Sequence, residues 1–470
     1  LFQNWCKAFN SPIGYSQHHL RAVPFPGFQA AFGASWPTRP TYSQAISKND
    51  LLNAIRLEDR HQAIYRTVGL FAEEIRLAVK ENDVDVDIWF IVIPDEIYIY
   101  GRPTSRVPSA ISIATPEAIG RKAAMRFALE APSLFPEDNK EARIYDHHID
   151  FHNQLKARLL ELGVVSQILR ESSISGTVQP LSTHSDDADD GQVYSNIENR
   201  NFFSVTRLMQ DPATVAWNLG TAIFFKAGGR PWQVATARKN VCYIGLIFKR
   251  DPNGRERHSC CGAQMFLHDG EGLVFKGAMG PWYSQDSKQF HLSRDEARRL
   301  ISEVVSTYKQ LHENFPDEIF IHGRTRFDSN EWQGFLDAVP STTKLVAVRI
   351  TRSSDFKLYA SGDLPIHRGT VLRQSSKLGL VWTSGFIDQL GTYQGRETPN
   401  PLRVEIVRET APTELNTVLS DIMTLTKMNF NSCVYADGLP VTMRFADAIG
   451  DVLVSVKDLE IPPLPFRHYI

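Results

Sequence analysis

The sequence predicts an α/β protein of two units, and three observations carry that expectation. The stretch Asp87-Ile-Trp-Phe-Ile-Val-Ile-Pro94 is a nearly continuous apolar run ended by proline, as a strand buried on both faces of a sheet requires. Helical and strand patterns alternate after it, which predicts a doubly wound parallel sheet. Further on, several short strands crowd together ahead of one long amphipathic helix.

Taken in order, Pro116 to Leu129 and Asp150 to Leu162 carry apolar residues at helical spacing, and Val164 to Leu169 reads as the next short strand. Residues 171–200 break the pattern with SSISG and STHSDDADDG and few large apolar side chains, so a solvated polar loop is expected there. Val241 to Phe248, Gly262 to Leu267 and Gly272 to Phe275 follow as an antiparallel meander. Ser293 to Asn314 is the long amphipathic helix, and Glu318 to His322 and Leu345 to Thr351 are further strands. Three strands, a helix and a further strand are the order of a ribonuclease H-like domain.

Composition narrows the class of function. At 470 residues, 42% hydrophobic and 22% charged, the chain is expected to be globular, with room for two or three cores. A formal net charge of -2 argues against coating nucleic acid by bulk electrostatics, so a nucleic-acid site would have to be a local groove. The five cysteines, with Cys260 and Cys261 adjacent, suit reduced thiols better than a disulfide framework or a zinc site. No apolar run approaches the roughly 20 residues that cross a bilayer, and a cytoplasmic location is expected.

The most informative segment is Asp150-Phe-His-Asn-Gln-Leu-Lys-Ala-Arg-Leu-Leu-Glu-Leu-Gly-Val-Val-Ser-Gln167. His152 and Lys156, four residues apart, project from one face of a helix. Gln167 follows Gly163 at the start of a strand, near where that helix returns to the sheet. An imidazole for stacking, an ammonium and an amide on one rim are the parts of a pocket for a terminal phosphate and its base. Taken singly the same residues have plainer readings. His152 and Lys156 also look like an exposed helix pair, His148 and His152 like two metal ligands with no carboxylate motif to complete them, and Lys226-Ala-Gly-Gly like a helix C-terminus with a glycine cap.

The spacing of His152, Lys156 and Gln167 resembles the 5′-end binding motif of the Argonaute MID domain, in which a further lysine comes from a segment of the form N-L-x(6)-K-x-G-G. Asn218-Leu-Gly-Thr-Ala-Ile-Phe-Phe-Lys226-Ala-Gly-Gly229 matches that form. Two later stretches also resemble the family. One runs from Leu425 through Asn429, Asn431, Gly438 and Pro440 to Asp447, like the last helices of a PIWI domain, and the other is the apolar end Leu464-Pro-Phe-Arg-His-Tyr-Ile470. The resemblance covers about residues 85–470. It implies a Rossmann-like MID domain at 85–215 after an N-terminal segment at 1–84, and a ribonuclease H-like PIWI domain at 216–470. It further implies that His152 stacks on the first guide base and that Lys156, Gln167 and Lys226 hold the 5′ phosphate. The Ile470 carboxylate would help hold a divalent cation, Mg²⁺, against that phosphate.

Ribonuclease H-like cleavage needs carboxylates holding two ions about 3.5 to 4 Å apart. By the resemblance, Ile247 stands where the first catalytic aspartate would be, in Tyr243-Ile-Gly-Leu-Ile247-Phe-Lys249, and Arg324 stands at the second, in His322-Gly-Arg324. An aliphatic group cannot ligate Mg²⁺ and a guanidinium repels it, so no nuclease activity is expected. Arg324 and Arg326 read equally as surface charges or as contacts to a nucleic-acid backbone. This pattern is similar to that of short prokaryotic Argonautes, which implies a small guide RNA, a complementary DNA target and a partner protein carrying an APAZ region with a sirtuin-like or TIR effector that consumes NAD in defence against plasmids or phage. Two rival readings follow from the same residues: an active metal-dependent nuclease with its acids elsewhere, and a scaffold that binds only protein.

Overall fold

The computed structural model describes residues 2–14, 23–81, 84–115, 119–129, 132–178, 211–250, 259–267, 270, 272–393, 395, 397–455 and 462–470. Helices α1 (Phe2–Phe9), α2 (Phe28–Phe32), α3 (Lys48–Ile55) and α4 (Arg60–Lys80) precede strand β1 (Trp89–Ile93). Helices α5 (Asp95–Tyr100), α6 (Arg121–Leu129), α7 (Pro136–Ala142) and α8 (Phe151–Leu160) lead to β2 (Ser166–Arg170), followed by α9 (Glu171–Val178) and α10 (Pro212–Lys226). β1 and β2 pair in parallel, from Trp89 opposite Ser166 to Ile93 opposite Arg170. The near-continuous apolar run works because both faces are covered. Ile91 and Ile93 join Ile64, Val68, Phe71 and Leu155 on one side. On the other, Phe90 and Val92 pack against an aromatic cluster of Trp5, Phe9, Phe28 and Trp36.

The expected meander is β3 (Val241–Arg250), β4 (Ser259–Phe266) and β5 (Gly272–Gly280), with the short pair β6 (Tyr283–Ser284) and β7 (Gln289–Phe290) behind it. Next come α11 (Arg294–His312), β8 (Glu318–Gly323), α12 (Ser329–Ala338), β9 (Lys344–Arg352), β10 (Val371–Arg373), β11 (Leu378–Val381) and β12 (Leu402–Glu409). The described chain closes with α13 (Leu415–Leu425), α14 (Val441–Arg444), α15 (Ala446–Val454) and β13 (Leu464–Pro465). The strands form one nine-stranded sheet in the order β10-β11-β12-β9-β8-β3-β4-β5-β13. Within it β3 is antiparallel to β4 and parallel to β8, and β8 is parallel to β9, which is the ribonuclease H-like order. Leu300, Ile301 and Val304 of α11 cover one face, while Leu419, Ile422, Ile449 and Leu453 of α13 and α15 cover the other.

Two sequence expectations change here. Residues 171–178 form helix α9 rather than part of a polar loop. Tertiary contacts override the polar composition, since Ile174 is 1% exposed and the Ser172 hydroxyl donates to Asp95 Oδ1 at 2.8 Å. Residues 179–200 of that expected loop, and the Pro116 start of the expected helix, lie outside the described residues. The division at residues 215 and 216 falls inside α10, which runs unbroken from Pro212 to Lys226. Among the described residues no helix is long and apolar enough to cross a membrane. Cys6, Cys242 and Cys433 are free thiols.

At Gly245 of β3 there is no room for a side chain. A Cβ there would stand 2.0 Å from the carbonyl oxygen of Thr442 on α14. Gly245→Ala is therefore expected to destabilise the protein by about 1–3 kcal/mol, because a backbone group rather than a flexible side chain must yield. A lowered midpoint of urea unfolding at unchanged slope is the result to look for, and an unchanged midpoint would contradict this packing.

Candidate functional site

Each side chain of the expected pocket is placed by a local signal. Asp150 caps α8, accepting from the Asn153 amide at 3.0 Å, and so fixes where the helix starts and which face Lys156 presents. Gly163, at φ +64°, turns the chain from α8 into β2. At the far end of α10 Lys226 occupies the last turn, ahead of Gly228 at φ +93°. These elements meet at a hollow of 440 Å³ whose walls include His152, Lys156, Gln167, Lys226 and Ile470. The structure thus brings together all five residues singled out in the sequence.

At its floor the two lysines converge on one carbonyl oxygen. Lys156 Nζ donates to Ser166 O at 2.8 Å and to Ile470 O at 2.7 Å. Lys226 Nζ donates to the same Ser166 O at 3.1 Å and to Gln167 Oε1 at 2.8 Å. An ammonium has three protons to donate, so each lysine keeps one beyond these bonds. Lys156 is 1% and Lys226 3% exposed, and among the described residues no carboxylate side chain forms an ion pair with either. Burying two such charges is costly unless both are balanced, and the expected Ile470 carboxylate, bonded to Lys156, balances one at most. Burial pushes the Lys156 ammonium down, to about 7. It pushes Lys226 well below the usual lysine range, with the charge of Lys156 adding to the effect. His152 sits at the mouth with its ring partly walled in and partly open to solvent. The walls, then the charges of Lys156, Lys226 and Arg102, keep it neutral near neutral pH.

A pH dependence follows. The folded protein holds Lys156 below its unfolded value, so between about pH 7 and the ordinary lysine range the unfolded chain binds more protons. Without an anion, stability therefore rises with pH across that window. A phosphate in the hollow reverses the balance by favouring the charged form. Binding at pH 8 is expected to take up protons at both Lys156 and Lys226, about one at each that meets the phosphate, with affinity falling as pH rises above 7. Calorimetry in buffers of different ionisation enthalpy reads the uptake directly, and zero uptake would mean that the lysines do not meet the anion.

A second constellation lies at one end of the large sheet. The parallel pairing of β3 and β8 runs to Gly245 opposite His322, and Ile247 and Arg324 each stand two residues further along. Ile247 is fully buried in the apolar cluster with Ile449, Val452 and Leu453. Arg324 is exposed and bonds Asp447 of α15 at 2.8 Å. Lys249 reaches Asp451 at 3.0 Å, and buried His322 contacts the Thr442 hydroxyl at 2.8 Å. Arg326 pairs with Glu405 at 3.1 Å. Among the described residues no group of three or more His, Cys, Asp or Glu side chains is arranged to hold a metal ion.

Among solved structures, this chain is similar to Clostridium butyricum Argonaute bound to a guide DNA with a 5′ deoxycytidine and to a 19-mer target DNA. The two are 17% identical with a TM-score of 0.47, over 66% of this chain and 36% of that one. It is also similar to Aa-Ago with externally bound siRNA, at 16% identity and a TM-score of 0.43, over 86% of this chain and 44% of that one. These structural neighbours are Argonaute proteins. The chain spans less than half the length of either. No protein-family model and no curated protein matches the sequence.

Several pocket residues escaped the sequence reading. Arg102, after α5, and Arg170, at the end of β2, line the hollow and share the ring of Tyr98, at 4.9 and 4.2 Å from its centroid. Arg170 is also tied to Asp95 at 2.7 Å. Their signal was positional, since ligands in α/β sheets gather at the carboxyl ends of parallel strands, which is where Ile93 and Arg170 stand. Asn431 completes the rim from the far end of the chain, and nothing in its sequence surroundings announced it beyond the family resemblance.

Proposed function

We propose that this chain is the guide-loading subunit of a short Argonaute system. The hollow takes the 5′ phosphate of a small RNA guide, and the larger domain houses the duplex that the guide forms with single-stranded DNA. The observation that carries this reading is the pair of buried lysines, Lys156 and Lys226, facing one hollow in which, among the described residues, no carboxylate side chain pairs with either, the one on its walls, Asp150, being engaged as the cap of α8. A phosphate supplies the missing charge and accepts the remaining protons, while His152, neutral and at the mouth, offers a flat face to the terminal base.

On this reading the sheet end binds nucleic acid without cutting it. Support comes from the chemistry at the two positions the resemblance singles out, an aliphatic group at Ile247 and a guanidinium at Arg324, already matched by Asp447. The family resemblance adds an APAZ-containing partner with a sirtuin-like or TIR domain, whose NAD consumption on target recognition defends the cell against plasmids or phage. As for Mg²⁺ at the guide end, the oxygens of Ile470 and Gln167 are engaged by the lysines, and the one carboxylate side chain on the walls, Asp150, is engaged as the cap of α8. They do not make a cation site by themselves, so an ion could be held there only with the phosphate contributing most of its ligands.

The test is a comparison of oligonucleotides that differ only in a 5′ phosphate or a 5′ hydroxyl. The phosphorylated guide is expected to bind at least about tenfold tighter, and equal affinities would reject the pocket. With guide, matching target and Mg²⁺ or Mn²⁺ present, the target is expected to stay intact. Clean cleavage would restore the nuclease reading.

A further inference from the structure

Among the described residues, strand β1 has one paired edge and one edge without a partner strand. Its parallel pairing turns the main-chain groups of Trp89, Ile91 and Ile93 toward β2 and those of Phe90 and Val92 the other way. Among the described residues, nothing hydrogen-bonds the N–H and C=O groups of Phe90 and Val92 on that second edge. The edge faces a hollow of 660 Å³ that shares no lining residue with the phosphate pocket and is lined by all of residues 86–92 and by most of residues 34–46. The second of these walls is a strap. Its residues 37–45 are mostly exposed, belong to no helix or strand, and make no backbone–backbone hydrogen bond among the described residues. Both walls therefore present unpaired peptide groups.

The chemistry of the hollow selects its occupant. Leu51, Phe71 and Ile75 line it from one side of the sheet, and Phe28, Trp36 and Phe224 from the other, so it is apolar both above and below the strand plane. A small apolar molecule would leave the peptide groups of both walls unsatisfied. A nucleic acid would find Arg39 as the single Lys or Arg on the walls, set against the carboxylates of Glu74 and Asp87. An extended polypeptide meets both needs. It would pair with β1, as open edges invite, and place successive side chains into the two apolar layers as a strand buried on both faces does. The carboxylate excess at the rim favours basic residues on either side of its apolar run.

We propose that this hollow receives an extended segment of a second polypeptide, apolar on both faces and flanked by basic residues, which adds to β1 as a further strand. Strands share the same rise of about 3.3 Å per residue, so the five residues of β1 pair with a run of roughly five residues. The inference is independent of the phosphate pocket.

Residue-resolved hydrogen exchange on the full chain tests it. In the free protein the amides of Phe90 and Val92 are expected to exchange faster than those of Ile91 and Ile93. The probe is the peptide Lys-Lys-Val-Ile-Val-Ile-Val-Lys-Lys, which should bind saturably and slow the exchange of Phe90 and Val92. N-methylating alternate peptide residues should weaken binding in one register and spare it in the other, a period-of-two signature that apolar adsorption lacks. Asp87 is exposed, so Asp87→Lys leaves the fold alone, and it should weaken this peptide about tenfold without changing guide binding. Slow exchange of Phe90 and Val92 before any peptide is added would mean the chain already covers its own edge, and would overturn the proposal. So would peptide binding that leaves those amides unprotected or shows no alternation.

Discussion

Replacing Lys156 and Lys226 together with methionine is expected to remove the preference for a 5′-phosphorylated guide. Each ammonium is desolvated, so losing one partner of its charge-assisted contact to phosphate costs about 2–5 kcal/mol, or roughly thirtyfold or more in affinity. Methionine keeps the volume of the stem, which matters because Lys156 packs at 1% exposure. Stability should move far less than affinity. Two buried amines and the cost of desolvating them disappear, which stabilises, while Ser166 O, Ile470 O and Gln167 Oε1 lose their lysine donors, which destabilises. Anisotropy titrations with matched 5′-phosphate and 5′-hydroxyl guides give the readout. If the double variant still favours the phosphate by the native ratio, the hollow is not the phosphate site, whatever else binds the guide.

Arg238→Ala is expected to have the largest effect on stability. The Arg238 guanidinium grips Asp421 of α13 with a fork of 3.0 and 2.6 Å and also pairs with Glu318 at the start of β8. Asp421 is 4% exposed, so removing the arginine strands a carboxylate in the interior at a cost of about 3–5 kcal/mol. Because the Arg238 side chain is 31% exposed, the lower end of that range is expected. The two partners shift differently. Arg238 is held firmly as a cation by its two carboxylates, whereas burial raises Asp421 beyond what Arg238 returns. The close fork argues for an ionised pair, and it sets the sign of the control. The double variant Arg238→Met/Asp421→Leu should be more stable than Arg238→Ala alone, since no buried charge is left without a partner. Urea unfolding of the two variants separates the cases, and a double variant less stable than the single one would show that the contact is not chiefly ionic.

Much of this was legible in the sequence because it depends on short-range pattern. The apolar run at β1, the amphipathic spacing of α11 and the meander of β3 to β5 fall where periodicity places them. Polar helix α9 was not legible, because Ile174 and Ser172 hold it through contacts with distant elements. Nor were the 21-residue helix α4 and the outer strands β10 to β12 read from the chain.

What the sequence determined by itself is a set of side chains and the elements that carry them: His152 and Lys156 on one helix, Gln167 on the following strand, Lys226 ahead of a glycine pair, and Ile247 and Arg324 at the two positions where the family resemblance expects acids. Only the tertiary structure decided that Lys156 and Lys226 share the carbonyl of Ser166, a residue with no sequence signal of its own, and that both are cut off from water. It likewise decided that the second edge of β1 has no partner strand among the described residues. The physical reason is common to both. Burial and charge balance are sums over neighbours far apart along the chain, whereas periodicity and capping are settled within a few residues.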